Sequence, residues 1–488
     1  MSRAWRQLLG ACFAALAGTA AGQSTLHVPG NHSDIQSALT AASSGDTILV
    51  RPGLYQQHID FLGKDVMLIS TDGPEATVIQ GSAGASVVTF SPGSTRAAEI
   101  RGFTIIGSGL PQVPLGGGIR CDNASPTIRE NIVRGGSAAD GGGIASKYGG
   151  SPLIEENLIT DNDAVLGGGI YCTGGQGTEI VGNTISSNAA NWGGAGVFLI
   201  YNQTTLRGNV IHSNSGAQNN GGGGISIEGG AVEIDHCTIF GNYGKIGGGV
   251  LAIGLDAGSI RNTIIWGNAS DPGEPGTHGH VTGGQGTWLL DGSYSDVEAV
   301  AHLSGGSLAL SGPGNITVDP MFVNGAGGDF SLTPGSACID SGDPADPLDA
   351  DGTQTDMGAV AFVHPYNPWE FLGQSLAGTN GIPQLEAQGE LSGNDLVTLS
   401  LSNARAFAQS WLVLGLSELN TPFKGGVLVP VPDLPLAFTT DGFGEAQIST
   451  IWPPSVPSDE SFSSQWWIQD PAGPKGFAAS NALKATTP

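Results

Sequence analysis

Between Gly116 and Asn268 one unit of roughly 26 residues recurs six times. Each copy opens on a glycine cluster that runs into an aliphatic residue: Ile119, Ile144, Ile170, Val197, Ile225 and Val250. Successive members of that column lie 25, 26, 27, 28 and 25 residues apart. Such a unit, read as three short strand segments without a helix, cannot bury its apolar side alone. Coiling solves the problem. The aliphatic positions turn inward and each strand pairs in parallel with the next coil. Side chains alternate along a strand, so Arg120, Ala145, Tyr171, Phe198, Ser226 and Leu251 are expected to face outward.

Two asparagine columns reinforce this reading. In one, a bulky apolar residue is followed three places later by Asn: Ile128 and Asn131, Ile154 and Asn157, Ile180 and Asn183, Leu206 and Asn209. The fifth copy has Cys237 in that place, and the sixth offers Asn262. The other column, Asn162, Asn188, Asn214, Asn242 and Asn268, closes each unit. Asparagine tolerates the left-handed conformation and bonds its own backbone, which suits a bend. Stacked amides can also bond from coil to coil.

Glycine supplies 80 of 488 residues without a three-residue period, which excludes collagen. With 17 Lys and Arg against 43 Asp and Glu, the formal charge is -26. Such a surface repels phosphate backbones, so no nucleic-acid partner is expected. Arg3 and Arg6 precede an apolar run from Leu8 to Ala21, and small residues stand before Gln23. This reads as a signal peptide over 1–22, hence a secreted or cell-surface protein without a transmembrane segment, expected to be a monomer. Cys121 and Cys172 stand two coils apart, about twice 4.8 Å. That is too far for a disulfide, so buried free thiols are expected.

Ahead of the repeat, Ser33-Asp34 caps a short apolar helix from Ile35, and strands follow from Asp46-Thr47-Ile48-Leu49-Val50 onward. A helix there would cover the open end of the solenoid. The glycine–aliphatic unit, the asparagine columns and the segment Asp46 to Tyr55 resemble the right-handed parallel β-helix of the pectin-lyase-like superfamily of secreted bacterial proteins. So does the closing stretch, Asp319-Pro320-Met321-Phe322 through Cys338-Ile339-Asp340-Ser341-Gly342 to Asp356-Met357-Gly358-Ala359. The resemblance implies an all-β chain with a three-sheet solenoid over 24–363. Beyond a linker at 364–381, alternating strands over 382–488 read as a small antiparallel β-sandwich.

Function is less constrained, because this superfamily hosts lyases, hydrolases, epimerases and adhesins. Its lytic members combine carboxylates for calcium with a Lys or Arg base. Basic residues are scarce here. Arg129 stacks over Glu155 and Arg207 over Asp235, as cross-coil ion pairs. Thr277-His278-Gly279-His280 is a superficial echo of a hydrolase signature. Two binding readings remain. Tyr171 and Phe198, with Arg120, Tyr148, Trp192 and Tyr201 close by in the coils, could stack on sugar rings, or they could simply shield sheet edges. Asp343, Asp349, Asp351 and Asp356 surround an Asp-x-Asp-Gly turn that resembles a Ca2+ loop, although Pro347 stands in the first ligand position. A solvated acidic turn is the alternative. The sequence thus points to a non-catalytic surface for polysaccharide or cell-surface glycan, with a lyase or hydrolase of uronate polymers as the competing class.

Overall fold

The computed structural model describes residues 23–107, 113–216, 221–271, 281–283, 290–298, 300–302, 312–363 and 368–487. The stretch 1–22, read from the sequence as a signal peptide, and the Thr277–His280 stretch lie outside the described residues. The chain forms two compact units that divide at Phe362 and Val363.

The first unit is a parallel β-solenoid. One coil shows its construction: Ile144–Lys147, Leu153–Glu155, Leu158–Thr160 and Asp163–Leu166, before the chain re-enters at Ile170–Thr173. That is one strand segment more than the sequence reading anticipates. The first two segment types share one sheet of 19 strands, because Val197–Arg207 and Ile225–Asp235 run through both. The other two build sheets of ten and seven strands. Register is kept strictly: Ile119, Ile144, Ile170, Val197, Ile225 and Val250 pair in succession and are all fully buried. Each contributes about 1.5–3 kcal/mol of apolar burial. The entry helix Ile35–Ala41 packs Ile35, Ala38 and Leu39 onto this core, and Asp34 caps it by accepting from the Ser37 N–H at 2.8 Å.

Both asparagine columns are hydrogen-bonded ladders. Asn131, Asn157, Asn183 and Asn209 donate amide to amide at 3.0–3.1 Å. Asn162 to Asn268 form the second ladder at 2.9–3.0 Å. The side-chain amides also cap main-chain carbonyls, as Asn183 does for Ile154 and Val181. In the sixth copy the ladder position is Thr263, whose hydroxyl accepts from the Cys237 N–H, and not Asn262. Asn262 stands one place earlier with φ 50. The four described cysteines are free and buried. Burial pushes the thiols of Cys172 and Cys237 up to about 12 and about 11, so they stay protonated.

The expected outer row needs correction. Ala145, Tyr171, Phe198, Ser226 and Leu251 are 0–5% exposed, although they alternate with the inward aliphatics. The preceding glycine turn folds back over them. A Cβ on Gly193 would meet the Phe198 ring at 2.5 Å, and one on Gly167 would meet the Tyr171 Cβ at 2.9 Å. The glycine cluster is therefore a lid of bare backbone over the side chain that follows it.

In the second unit, Trp369–Gly373, Phe477–Thr486, Ser461–Gln469, Gln409–Gly415 and Leu434–Thr439 form an antiparallel sheet in that spatial order. A three-stranded sheet of Gln384–Gln388, Leu396–Ser402 and Ala446–Ile451 faces it across a core of Leu399, Leu401, Leu412 and Trp466. This is a β-sandwich. Part of the stretch read as a linker is a strand, since Trp369–Gly373 pairs with Phe477–Thr486.

Candidate functional site

Each coil turns four marked bends, each with a residue in the left-handed conformation, and one of the four is the glycine turn ahead of the aliphatic column, with Gly141 and Gly167. At two of them that residue precedes a ladder asparagine, as Glu156 (φ 55) precedes Asn157 and Asp161 (φ 56) precedes Asn162. The third bend separates the two strand segments of the large sheet. Its left-handed residues are Asn123, Tyr148, Gly174, Tyr201, Gly229 and Gly254. Four of these six are Asn or Gly, the residues that tolerate positive φ. The two tyrosines, at φ 63 and φ 45, are the exceptions, and such a conformation costs of order 1 kcal/mol.

The same two tyrosines are the most open aromatic side chains of the described residues of these coils, at 70% and 72% exposure, ahead of Trp192 at 49%. They stand two coils apart, about 10 Å at the strand spacing, with Gly174 between them. The Tyr201 ring lies over Gly229, where a Cβ would stand 2.5 Å from it. Of the aromatic residues read from the sequence, Tyr148 and Tyr201 are thus presented to solvent. Tyr171 and Phe198 are packed edge to face beneath the surface at 5.8 Å. Burial, with the charge of Asp140 behind it, pushes the Tyr171 hydroxyl up to about 12.

The nearby cations already have partners. Arg120 pairs with Asp122 at 2.5 Å. Lys147 pairs with Asp140 and lies 5.2 Å over the Tyr171 ring. Arg129 reaches Glu155 at 3.2 Å and Arg207 reaches Asp235 at 3.3 Å, the cross-coil pairs expected from register.

The acidic stretch is folded by its own carboxylates. Asp349 accepts from the Asp356 N–H at 3.0 Å and from the Thr355 hydroxyl at 3.3 Å. Asp351 accepts from the N–H and hydroxyl of Thr353 at 3.2 and 2.8 Å. Asp356 is buried and accepts from the N–H groups of Asp340 and Phe362 at 2.7 and 2.5 Å. Asp343 accepts from Ala345 N–H at 2.9 Å and pairs with Arg261 at 3.3 Å. These oxygens bond backbone and neighbours, and among the described residues no three of the four bring ligand atoms within 4.8 Å of one another.

Sequence reasoning missed a different cluster. Asp235, His236 and Asp346 bring ligand atoms within 4.8 Å of one another. A cation is already there: the Arg261 guanidinium lies 2.7 Å from Asp346 and 3.4 Å from Asp235. His236 bonds Asp235 at 3.0 Å through Nδ1 and Thr355 at 3.0 Å through Nε2. Burial raises the Asp235 pKa, but the His236 bond and the His236 and Arg261 charges outweigh it and hold the carboxyl low. The cluster is a clasp that fastens the closing segment to the coils. Its sequence signal was His236 and Asn262 taking positive-φ bend positions held by Gly182 and Gly208 in the preceding coils.

The fold defines the class: a right-handed parallel β-helix. Residues 86–265 and 168–299 match the family model described as "right handed beta helix region". The chain is similar to the crystal structure of pectate lyase Pel9A at 14% identity and TM-score 0.42, covering 70% of this chain and 97% of that one. It is also similar to tailspike protein gp49 of Acinetobacter baumannii bacteriophage Fri1, a capsular polysaccharide depolymerase. There the identity is 10% and the TM-score 0.29, over 96% of this chain and 84% of that one. ORF18 of Geobacillus virus E2 matches at 11% identity and TM-score 0.23, over 89% and 78%. No curated protein matches the chain. Among the described residues no helix is long and apolar enough to cross a membrane.

Proposed function

We propose that the solenoid is an extracellular glycan-binding protein, and that Tyr148 and Tyr201 are its stacking platform. The observation that carries this reading is their backbone. Two tyrosines occupy left-handed bend positions that Asn or Gly fills in the neighbouring coils, and the strain exposes both rings instead of burying them. Aromatic faces held rigidly toward solvent stack on the apolar faces of sugar rings. The notch at Gly174 leaves room for a ring or its substituents between them. The solenoid supplies rigidity, which lowers the ordering cost of binding.

Retention on a panel of neutral and uronate polysaccharides, with and without calcium, tests the reading. The wild type should be retained on at least one polymer. Tyr148→Ala and Tyr201→Ala should each weaken binding about tenfold. Undiminished retention of the double variant would refute the platform. Unsaturated products released from a uronate polymer would instead establish the lyase class.

A further inference from the structure

The β-sandwich carries a second binding feature, unrelated to the tyrosine bends. The hairpin Glu418–Phe423 and Gly426–Pro430 packs on the five-stranded sheet through Leu428, which is buried with Val413 and Trp467, and leaves a gap beside that contact. The gap is a groove of about 340 Å³, lined by Trp411, Val413, Phe423, Leu428, Trp467 and Phe477 among others. Phe423 stands edge to face with Trp467 at 5.0 Å, and Trp411 lies 6.3 Å from Phe477. The Trp467 indole N–H is turned away and donates to Gln465 at 3.0 Å. What faces the groove is therefore carbon, and Lys424 is the one charged side chain of its lining.

Lys424 and Gly425 form the hairpin tip, with φ 50 and 99. This turn sets the Lys424 ammonium 4.6 Å over the Phe477 ring and 5.9 Å over Phe423. No ion pair is formed by Lys424 among the described residues. Gly425 abuts Pro474, the residue before Lys475. Lys424 is one of four basic residues on a unit that carries eleven acidic ones.

We infer that the groove holds the hydrocarbon chain of a fatty-acid anion, with its carboxylate beside Lys424. Polar ligands are disfavoured because the walls offer them no partners. A sugar's hydroxyls, or the N–H and C=O groups of a peptide, would lose their bonds to water without replacement. A hydrocarbon chain loses nothing on entering. A solvent-facing ammonium at one end, held over two aromatic rings, complements an anionic head.

The test is calorimetric titration of the full chain with dodecanoate below its micellar concentration. The expected result is saturable binding with a negative heat-capacity change. Lys424→Glu, a surface change at a hairpin tip, should weaken binding about tenfold. Leu428→Trp, which fills the groove, should abolish it with the thermal transition retained. The uncharged dodecanol should bind about tenfold less tightly than dodecanoate. Absence of saturable binding, equal binding by Lys424→Glu, or equal affinity for dodecanol would overturn the inference.

Discussion

Two kinds of bend in the same coils invite comparison. At the ladder bends the residue after the left-handed one is Asn in coil after coil, fully buried and bonded above and below. The left-handed residue itself varies at both kinds of bend, from Glu130 through Gly182 to His236 at one ladder bend and from Asn123 through Tyr148, Gly174 and Tyr201 to Gly254 at the third, but at the third no asparagine ladder follows it. The first bend obeys one local demand, since a buried turn must satisfy its carbonyls and N–H groups and an amide does so on both sides. The second faces water, where those groups are solvated and the side chain is free to vary. Repetition therefore marks scaffold, and departure from repetition marks the surface open to a task.

The sharpest way to break this comparison is Asn183→Ala, in the middle of a ladder. It removes the acceptor of Asn157 and leaves the Ile154 and Val181 carbonyls without that donor. Denaturant unfolding should show a loss of about 3 kcal/mol or more. A loss below about 1 kcal/mol would mean that the ladder is decoration.

A smaller effect is expected where the described coils approach the solenoid's far end. Asp296 pairs with Ile264 and is buried, and burial, with the charges of Asp319 and Glu298, raises its pKa to about 6. The folded chain then holds this proton more tightly than the unfolded one. The group's contribution to stability is full below about pH 4 and is lost as pH rises through about 6. Asp296→Asn keeps an acceptor for the Val318 N–H, now at 3.1 Å. It should raise stability at neutral pH by about 1–2 kcal/mol and flatten the pH dependence across that window. Thermal melts from pH 4 to 7 decide it, and an unchanged slope would remove Asp296 as the cause.

The smallest effect sharpens the contrast most. Tyr201→Gly relieves a left-handed tyrosine, so stability should stay level or rise by up to about 1 kcal/mol. Glycan retention should fall at the same time. A variant more stable and less able to bind separates strain kept for function from a residue kept for folding. Loss of stability would place Tyr201 with the scaffold.

The fold was legible because its signals are local and periodic. The aliphatic column, the asparagine columns and the Asp34 cap can be read along the chain, and each lies where the spacing puts it except in the sixth copy, where Thr263 and not Asn262 takes the ladder position. The surface was less legible. Simple alternation assigns Tyr171 and Phe198 to the outside, but it ignores the glycine turns that double back over them. The aspartates of the 343–356 stretch look like ligands by spacing, yet each is engaged by a backbone or side-chain partner that only the folded loop brings near. The clasp of Asp235, His236, Arg261 and Asp346 joins residues more than a hundred positions apart, from Asp235 to Asp346; the departure of His236 and Asn262 from the glycines of their column marks one side of it, and only the fold brings Asp346 there.

The sequence by itself determined the coil, because burying a repeated apolar position in a short repeating unit leaves one efficient solution: stacking it on its neighbours. Which side chains remain on the surface was decided by tertiary structure. Exposure depends on what folds back over a residue, and in a solenoid the cover comes from bends whose backbone conformation is not written in alternation. Tyr148 and Tyr201 stand open because their bends place them there, and Tyr171 and Phe198 are closed because glycine turns cover them.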